Sequence, residues 1–277
     1  MAEVDTSLPT APSGAAAEYA AKHAADHPLK LYGGYFCPFV QRAWIALHEK
    51  NVPHQYIEIN PYKKAPEFLA MNPRGLVPTL AVPVGAKGQT QKPLFESTVV
   101  CEYIDEAFND EAKNGSPLLP VDAYERARAR LWIDHAATKV IPGFYKLLQH
   151  QPHKAYSLDE AREELHKNIL TFTAEMDPEG PFFLGKDISL VDISLAPWLK
   201  RLWLLDHYKP GGHGIPKTGE DEKWGRWRKW AKAIEERPSV IDTWSDDESY
   251  IVAYKRYAED TTNSLVGQAT RQGGRLP

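Results

Sequence analysis

Cys37 stands immediately before Pro38 in "LYGGYFCPFVQRAW", and only one other cysteine, Cys101, occurs in the 277 residues. Proline suits the first position of a helix, where its missing N–H is not needed. The spacing of Val40, Ala43, Trp44 and Leu47 predicts a helix from Pro38 to about Lys50. Cys37 then sits at a helix N-terminus, where unsatisfied N–H groups and the macrodipole favour an anion. A thiol in such a place has its pKa lowered from about 8.5 into the range ~3.5–7.5. The thiolate is the form that attacks disulfides. Three residues on, where a dithiol motif would need a second cysteine, stands Val40. A thiol without that partner needs an external thiol to resolve any disulfide it forms, and glutathione is the abundant cytosolic candidate. Cys101 lies at helical spacing with Val100 and Ile104 and reads as core.

The elements that must position this thiol are legible around it. "LKLYGG" is a short strand ending in paired glycines, and "HQYIEIN" alternates as a strand. "APEFLAMNP" is a short helix stopped by Asn72 and Pro73, "VPTLAV" a strand, and "GAKGQT" a turn into "KPLFES". From Ser97, the residues Val100, Cys101, Ile104 and Phe108 mark a helical face. The order β-α-β-α-β-β-α suits one small mixed sheet with helices on its faces. The polar, Gly- and Pro-containing stretch "NDEAKNGSPLLPVD" reads as a linker, and strand signals stop after it. Long amphipathic helices are predicted over "AYERARARLWIDHAATKVIPGFYKLLQH", "LDEAREELHKNILTFTAEM" and "LVDISLAPWLKRLWLLDHY", with a Trp-rich helix from Trp224 to Glu236. Residues 1–27 read as a flexible arm with a short helix over "AAAEYAAKHAA" as its structured candidate, and residues 259–277 as a loose tail.

Bulk properties agree with a soluble globular protein, long enough for two compact domains or one large one: 43% hydrophobic, 25% charged, net charge −4. No basic field points to nucleic acid or an anionic membrane. No apolar run approaches the ~20 residues of a membrane span. Two distant cysteines fit a reducing compartment, and the acidic, Arg-free arm argues against a mitochondrial presequence. Cytoplasm is the expected location. The histidines show no metal-ligand spacing, so no metal is expected. Trp224, Trp227 and Trp230 fall at helical spacing and read as a core stripe rather than as a stacking surface for nucleic acid. Ser189 and Asp192, flanked by Ile188 and Ile193, form a capping box with a staple and read as structural.

Taken together, "YFCPFVQRAWIAL", "NPRGLVPTL" and "FESTVVCEYIDEAF" resemble a cytosolic glutathione transferase, and the Cys-Pro-Phe element resembles the omega class. The resemblance spans residues 28–258. It implies a thioredoxin-like domain over 28–109, a linker over 110–121 and an all-helical domain over 122–258. It implies glutathione as co-substrate, a homodimer, and Cys37 as the catalytic residue. It also implies a cis Val77–Pro78 bond whose Val77 backbone pairs with the glutathione peptide, and Glu96 and Ser97 at the γ-glutamyl end. Lys64, with Lys63 adjacent and the register open, would meet the glycyl carboxylate, and Phe39 would wall the thiol. The partner would be a small electrophilic or glutathionylated substrate bound between the domains. Trp132, His135, Tyr145 and Trp198 are the candidates for that pocket, with Trp203 behind them, and each could equally be core. Tyr32 and Tyr35 are near enough to raise as hydroxyl donors, but they precede the helix start. The implied activities are thiol transfer, dehydroascorbate reduction and detoxification. Reduction of glutathionyl-ketones is an alternative. So is that of glutathionyl-hydroquinones, although that family carries Trp where this chain has Phe39. A chloride-intracellular-channel-like protein, which lacks the Glu-Ser pair, and a non-catalytic adaptor are the alternatives from other classes.

Overall fold

Leu31, with no exposed surface, anchors the strand Lys30–Gly33 (β1) at the middle of a four-stranded sheet. The computed structural model describes residues 10–61, 63–85, 88, 90–219 and 221–276. Around β1 it places, in chain order, α1 (Gly14–Lys22), α2 (Pro38–Glu49), β2 (Gln55–Glu58), α3 (Pro66–Met71), β3 (Thr79–Val84), β4 (Thr90–Phe95) and α4 (Ser97–Ala107). The sheet order is β2-β1-β3-β4; β2 runs parallel to β1, while β3 and β4 are antiparallel to their neighbours. From β1 onward this is the β-α-β-α-β-β-α order expected of a thioredoxin-like domain. The turn read at "GAKGQT" includes Ala86, Lys87 and Gln89, which lie outside the described residues.

Helix α2 buries Val40, Ala43, Trp44 and Leu47 completely, and the Trp44 ring stacks on Tyr56 of β2 at 4.2 Å. Lys50, at the end of α2, pairs with Asp105 of α4 at 3.1 Å, and Asp105 also accepts the Leu118 N–H at 2.8 Å. These buried groups satisfy one another, which is the condition for burying charge at all.

The flexible arm expected over 1–27 needs correction within its described part. An isolated Ala-rich segment this short is a marginal helix, but α1 buries Ala16 and Tyr19. The Tyr19 ring stacks on His48 at 5.0 Å, and the His23 ring stacks on His54 at 4.3 Å. His54 is 3% exposed and its Nδ1–H donates to Val52 O at 2.8 Å. Burial pushes its pKa down to about 4. An unfolded histidine titrates near 6.5. Between those values the unfolded chain holds a proton that the folded chain does not, so stability rises with pH across this window. Acidification from pH 7 to pH 4 should therefore cost on the order of 3 kcal/mol at this residue. Urea titrations at both pH values should show His54→Gln losing markedly less stability than wild type; equal losses would contradict this assignment.

The remaining elements among the described residues are α5 (Glu111–Asn114), α6 (Ala123–His135), a π turn (Ala136–Val140), α7 (Ile141–Leu148), α8 (Leu158–Ala174), α9 (Leu190–Leu199), α10 (Trp203–Tyr208), a 3-10 turn (Glu222–Trp224), α11 (Gly225–Glu235), α12 (Pro238–Ile241), α13 (Asp247–Ala258) and α14 (Leu265–Gln272). Contacts divide the chain into a first unit that runs through Leu118 and takes in Arg237–Ala253, and a second unit of Leu119–Glu236 with the chain from Tyr254 onward. The boundaries expected at 110–121 and 258 therefore shift. Asn114 donates to Lys50 O at 2.9 Å, tying the linker to the first unit. Arg237 grips the buried Glu49 carboxylate at 2.6 and 2.8 Å, drawing the later segment in beside α2.

In the second unit, the continuous helix expected through residue 150 widens into the π turn just before Pro142, whose missing N–H interrupts the regular ladder. The helix expected over "LVDISLAPWLKRLWLLDHY" splits into α9 and α10, and the buried Arg201 between them donates to Pro197 O at 2.6 Å. The loose tail is also corrected. Ser264 caps α14, Gln149 donates to Gly267 O at 3.3 Å, and Asp260 gathers Gln149, Lys154 and Arg271. Trp224, Trp227 and Trp230 are buried. The carboxylate of Asp192 lies in the same core.

Candidate active site

The register of the sheet brings the separate motifs together. Tyr32 of β1 faces Thr79 of β3, and Thr79 faces Phe95 of β4. On the other side Gly33 pairs with Glu58. The turn that carries Cys37, the segment before Thr79, and the Glu96–Ser97 pair after Phe95 thus emerge side by side at one end of the sheet.

Cys37 takes the N-cap position of α2 with φ −79° and ψ 118°, followed by Pro38 at the first helical position. Its N–H donates to Gly34 O at 2.9 Å, closing a turn, and its carbonyl accepts the Gln41 N–H at 3.1 Å. Cys37 is half-buried. Gly33 is needed for this packing, because a Cβ there would lie 2.4 Å from Val40 Cγ1. Cys101 contrasts with it: it is 3% exposed within α4, and burial pushes its pKa up to about 12. A thiol held so far from ionisation is a poor nucleophile.

The Val77–Pro78 bond is cis. The loop before it is held by Asn72, a buried side chain that donates to Leu76 O at 3.1 Å and to Thr79 Oγ1 at 2.9 Å. Asn72 was readable only as a helix stop; its second role depends on contacts up to seven residues away. Lys64 is half-buried, and its Nζ lies 3.2 Å from where a Cβ on Gly75 would stand. Gly75 has φ +61°, a conformation glycine adopts without strain. Lys63 is exposed. Of the two lysines, Lys64 is the one that turns toward the loop before Val77.

Ser97 is not the N-cap of α4. Glu96 occupies that position with φ +70°, left-handed for a residue with a side chain, and Ser97 opens the helix. Such conformations persist where surrounding contacts enforce them. The first intrahelical bond is Val100 N to Glu96 O at 2.9 Å, so the N–H groups of Ser97, Thr98 and Val99 precede it. Ser97 is 7% exposed and its Oγ accepts from Arg42 Nη1 at 3.1 Å. Arg74 Nη1 donates to Glu96 Oε1 at 2.6 Å and its guanidinium lies 5.3 Å from the Phe95 ring centroid. Arg42 is 3% exposed and stands 5.5 Å from the ring centroid of the half-buried Phe39. Sequence reading missed Arg42 and Arg74. The signal for Arg42 was a charge inside the apolar run of α2; Arg74 carried none. The site thus combines a thiol, bare backbone N–H groups and three cations, a set suited to an anionic small molecule.

The acceptor candidates separate. Trp132 and His135 are half-buried and line a cavity of about 280 Å³ with Leu131, Asp134, Thr138 and Lys139. Tyr145 and Trp198 are 2% and 1% exposed and belong to the core of the second unit, which corrects their assignment to a pocket. Both lie on core-facing positions of helices whose apolar residues recur at helical spacing, so periodicity could not separate the roles. Tyr35, 1% exposed, meets Phe36 at 5.3 Å and Tyr250 at 6.4 Å, and burial raises its hydroxyl's pKa. Tyr32 packs on Phe68 at 5.6 Å. Among the described residues no three His, Cys, Asp or Glu side chains converge as metal ligands, and no helix is long and apolar enough to cross a membrane.

Comparison with known proteins finds two family models: "Glutathione S-transferase, N-terminal domain" matches residues 36–107, and "Glutathione S-transferase, C-terminal domain" matches residues 155–233. Glutathione S-transferase omega-1 of Sus scrofa is 33% identical over 180 residues, covering 64% of this chain and 68% of that protein. Glutathione S-transferase U1 of Arabidopsis thaliana is 32% identical over 221 residues, covering 78% and 88%. The crystal structure of glutathione transferase Omega 3C from Trametes versicolor matches with a TM-score of 0.78 and 39% identity, covering 91% of this chain and all of that one.

Proposed function

This chain belongs to the glutathione S-transferase family, and on that premise we propose that it is an omega-like, glutathione-dependent thiol transferase whose reacting atom is Cys37 Sγ. The family's co-substrate is glutathione. One observation supports the reading above the others: a half-buried cysteine at a helix start, at the same sheet end as the cis Val77–Pro78 bond and Ser97.

In the proposed cycle the Cys37 thiolate attacks the glutathione sulfur of a mixed disulfide, RS–SG. The substrate's S–S bond breaks, RS⁻ leaves and takes a proton, and Cys37 becomes disulfide-bonded to glutathione. The thiolate of a second glutathione attacks that glutathione sulfur. Glutathione disulfide departs and Cys37 leaves as thiolate. The start of α2 stabilises the negative sulfur at the beginning and end of the cycle. In this reading the Val77 backbone pairs with the glutathione peptide as an added strand would. The N–H groups at the start of α4 and the Ser97 hydroxyl, oriented by Arg42, take the γ-glutamyl carboxylate. Glu96, held by Arg74, takes the ammonium, and Lys64 the glycyl carboxylate. Phe39 walls the thiol. Dehydroascorbate reduction follows from the same thiol, with a small electrophilic or glutathionylated acceptor. A homodimer and a cytoplasmic location belong to the same proposal. Conjugation of glutathione to electrophiles is the second reading, supported by the similarity to a U-type transferase of Arabidopsis.

Mass spectrometry after exposure to glutathione disulfide tests the assignment. One glutathione adduct is expected, on Cys37, with Cys101 unmodified because its thiol stays protonated to about pH 12. An adduct on Cys101 alone, or none, would refute it.

A further inference from the structure

Glu58 is an acid on the wrong face of its strand. Residues two apart share a face, so Glu58 stands with the buried Tyr56 on the side that α2 covers. Its carboxyl is spoken for on both oxygens. Oε1 accepts the Tyr35 N–H at 3.1 Å, and Oε2 accepts the Tyr56 hydroxyl at 2.6 Å. Tyr35 lies inside the turn that Cys37 N closes on Gly34 O at 2.9 Å. A Cβ on Gly34 would lie 3.8 Å from Glu58 Oε1, so the turn rests against the carboxyl. The Ile59 N–H to Gly33 O bond at 2.6 Å fixes the end of β2 to the start of the same turn.

We propose that Glu58 is a positioning residue for Cys37. Its carboxyl holds the turn that presents the thiol and sets a titratable charge against that turn, so that thiol reactivity depends on whether Glu58 is ionised. The proposal rests on Cys37 being the reacting thiol.

The surroundings give the charge its effect. The titratable groups facing this carboxyl are Tyr56 on β2 and Tyr35 in the turn; Tyr56 in turn faces Cys37 and Tyr250 of α13, so it stands between the carboxyl and the thiol. Burial raises the Glu58 pKa to about 7, against the lowering effect of the bonds from Tyr56 and Tyr35. The carboxyl is neutral below that pH and anionic above it. A neutral Glu58 leaves the helix start free to stabilise the Cys37 thiolate. An ionised Glu58 opposes it by like charge, and the coupling is reciprocal.

The pH profile of Cys37 alkylation by iodoacetamide, in the full chain, tests this. Wild type should show a step near pH 7 in addition to thiol ionisation. Glu58→Gln keeps the size and an acceptor for Tyr35 N–H but not the charge. It should give a single step, with its midpoint lowered by at least about half a pH unit relative to the upper wild-type step. Superimposable profiles would overturn the proposal. Because the variant could disturb the turn itself, a second measurement uses the native carboxyl. Carbon-13 NMR should show Glu58 titrating near neutrality in wild type, with a lower midpoint in Cys37→Ser, where no thiolate opposes it. An unmoved midpoint would also overturn the proposal. If Cys37 takes no label at any pH, the thiol reading itself has failed, which is a different result from labelling that ignores Glu58.

Discussion

Cys37→Ser is expected to reduce glutathione-dependent reduction of a mixed disulfide to background, a fall in kcat/KM of at least about a thousandfold. A serine hydroxyl is not ionised near neutrality and cannot enter a disulfide, so no intermediate can form. The remaining geometry should survive, because the cap position at Cys37 and the Pro38 that follows suit serine at least as well. Glutathione should therefore still bind, and some conjugating activity toward electrophiles should emerge. The comparison variant is Cys101→Ser: it removes a buried thiol that the proposed cycle does not use, and it should leave turnover of the folded protein near wild type. Following glutathione disulfide production with both variants separates the cysteines. Retained thiol transfer in Cys37→Ser would end the proposed mechanism.

The largest effect expected on stability falls elsewhere, at Asp192. This fully buried carboxylate accepts four hydrogen bonds: Phe183 N–H at 2.7 Å, Ser189 N–H at 2.8 Å, Ser189 hydroxyl at 2.6 Å and Trp230 Nε1–H at 2.7 Å. Those donors come from the Phe182–Gly185 bridge region, the start of α9 and the middle of α11. Asp192→Ala strands two buried backbone N–H groups and an indole, and an unsatisfied buried donor costs about 1–3 kcal/mol. A loss of about 3–5 kcal/mol is expected, with a fall in Tm of roughly ten degrees or more. Asp192→Asn, which keeps an acceptor oxygen, should lose less. Urea unfolding followed by tryptophan fluorescence reads the effect directly, since Trp230 is one of the partners. A stability within about 1 kcal/mol of wild type for Asp192→Ala would contradict the network's role. The two variants also test different things: Cys37→Ser removes the proposed reacting atom from a standing fold, and Asp192→Ala weakens the packing of the other unit.

Several features were open to reading because their causes are local. Pro38 after Cys37 marks a helix start through its own ring, and the capping box at Ser189 and Asp192 is read within four residues. The strand and helix order of the first unit follows from periods of two and 3.6 in the apolar residues. The Glu96–Ser97 step was visible as a strand giving way to a helix, although the left-handed turn at Glu96 was not, because nothing in its side chain asks for φ +70°. Position α1 shows the opposite case. Its residues lack the strength to form a helix alone, and it exists because Tyr19 and His23 find His48 and His54.

Chain chemistry by itself marked Cys37 as the candidate reacting residue, put it at a helix start, and supplied no second cysteine three residues on, which is why the proposed cycle calls on an external thiol. The tertiary structure alone decided what surrounds that atom. Arg42 reaches Ser97 across 55 positions, Arg237 reaches Glu49 across 188, and Glu58 meets the Tyr35 N–H across 23. Local pattern reports which face a residue prefers. It does not report which distant donor will meet a charge once two segments are packed together, because that depends on register and crossing, and only the folded chain supplies those.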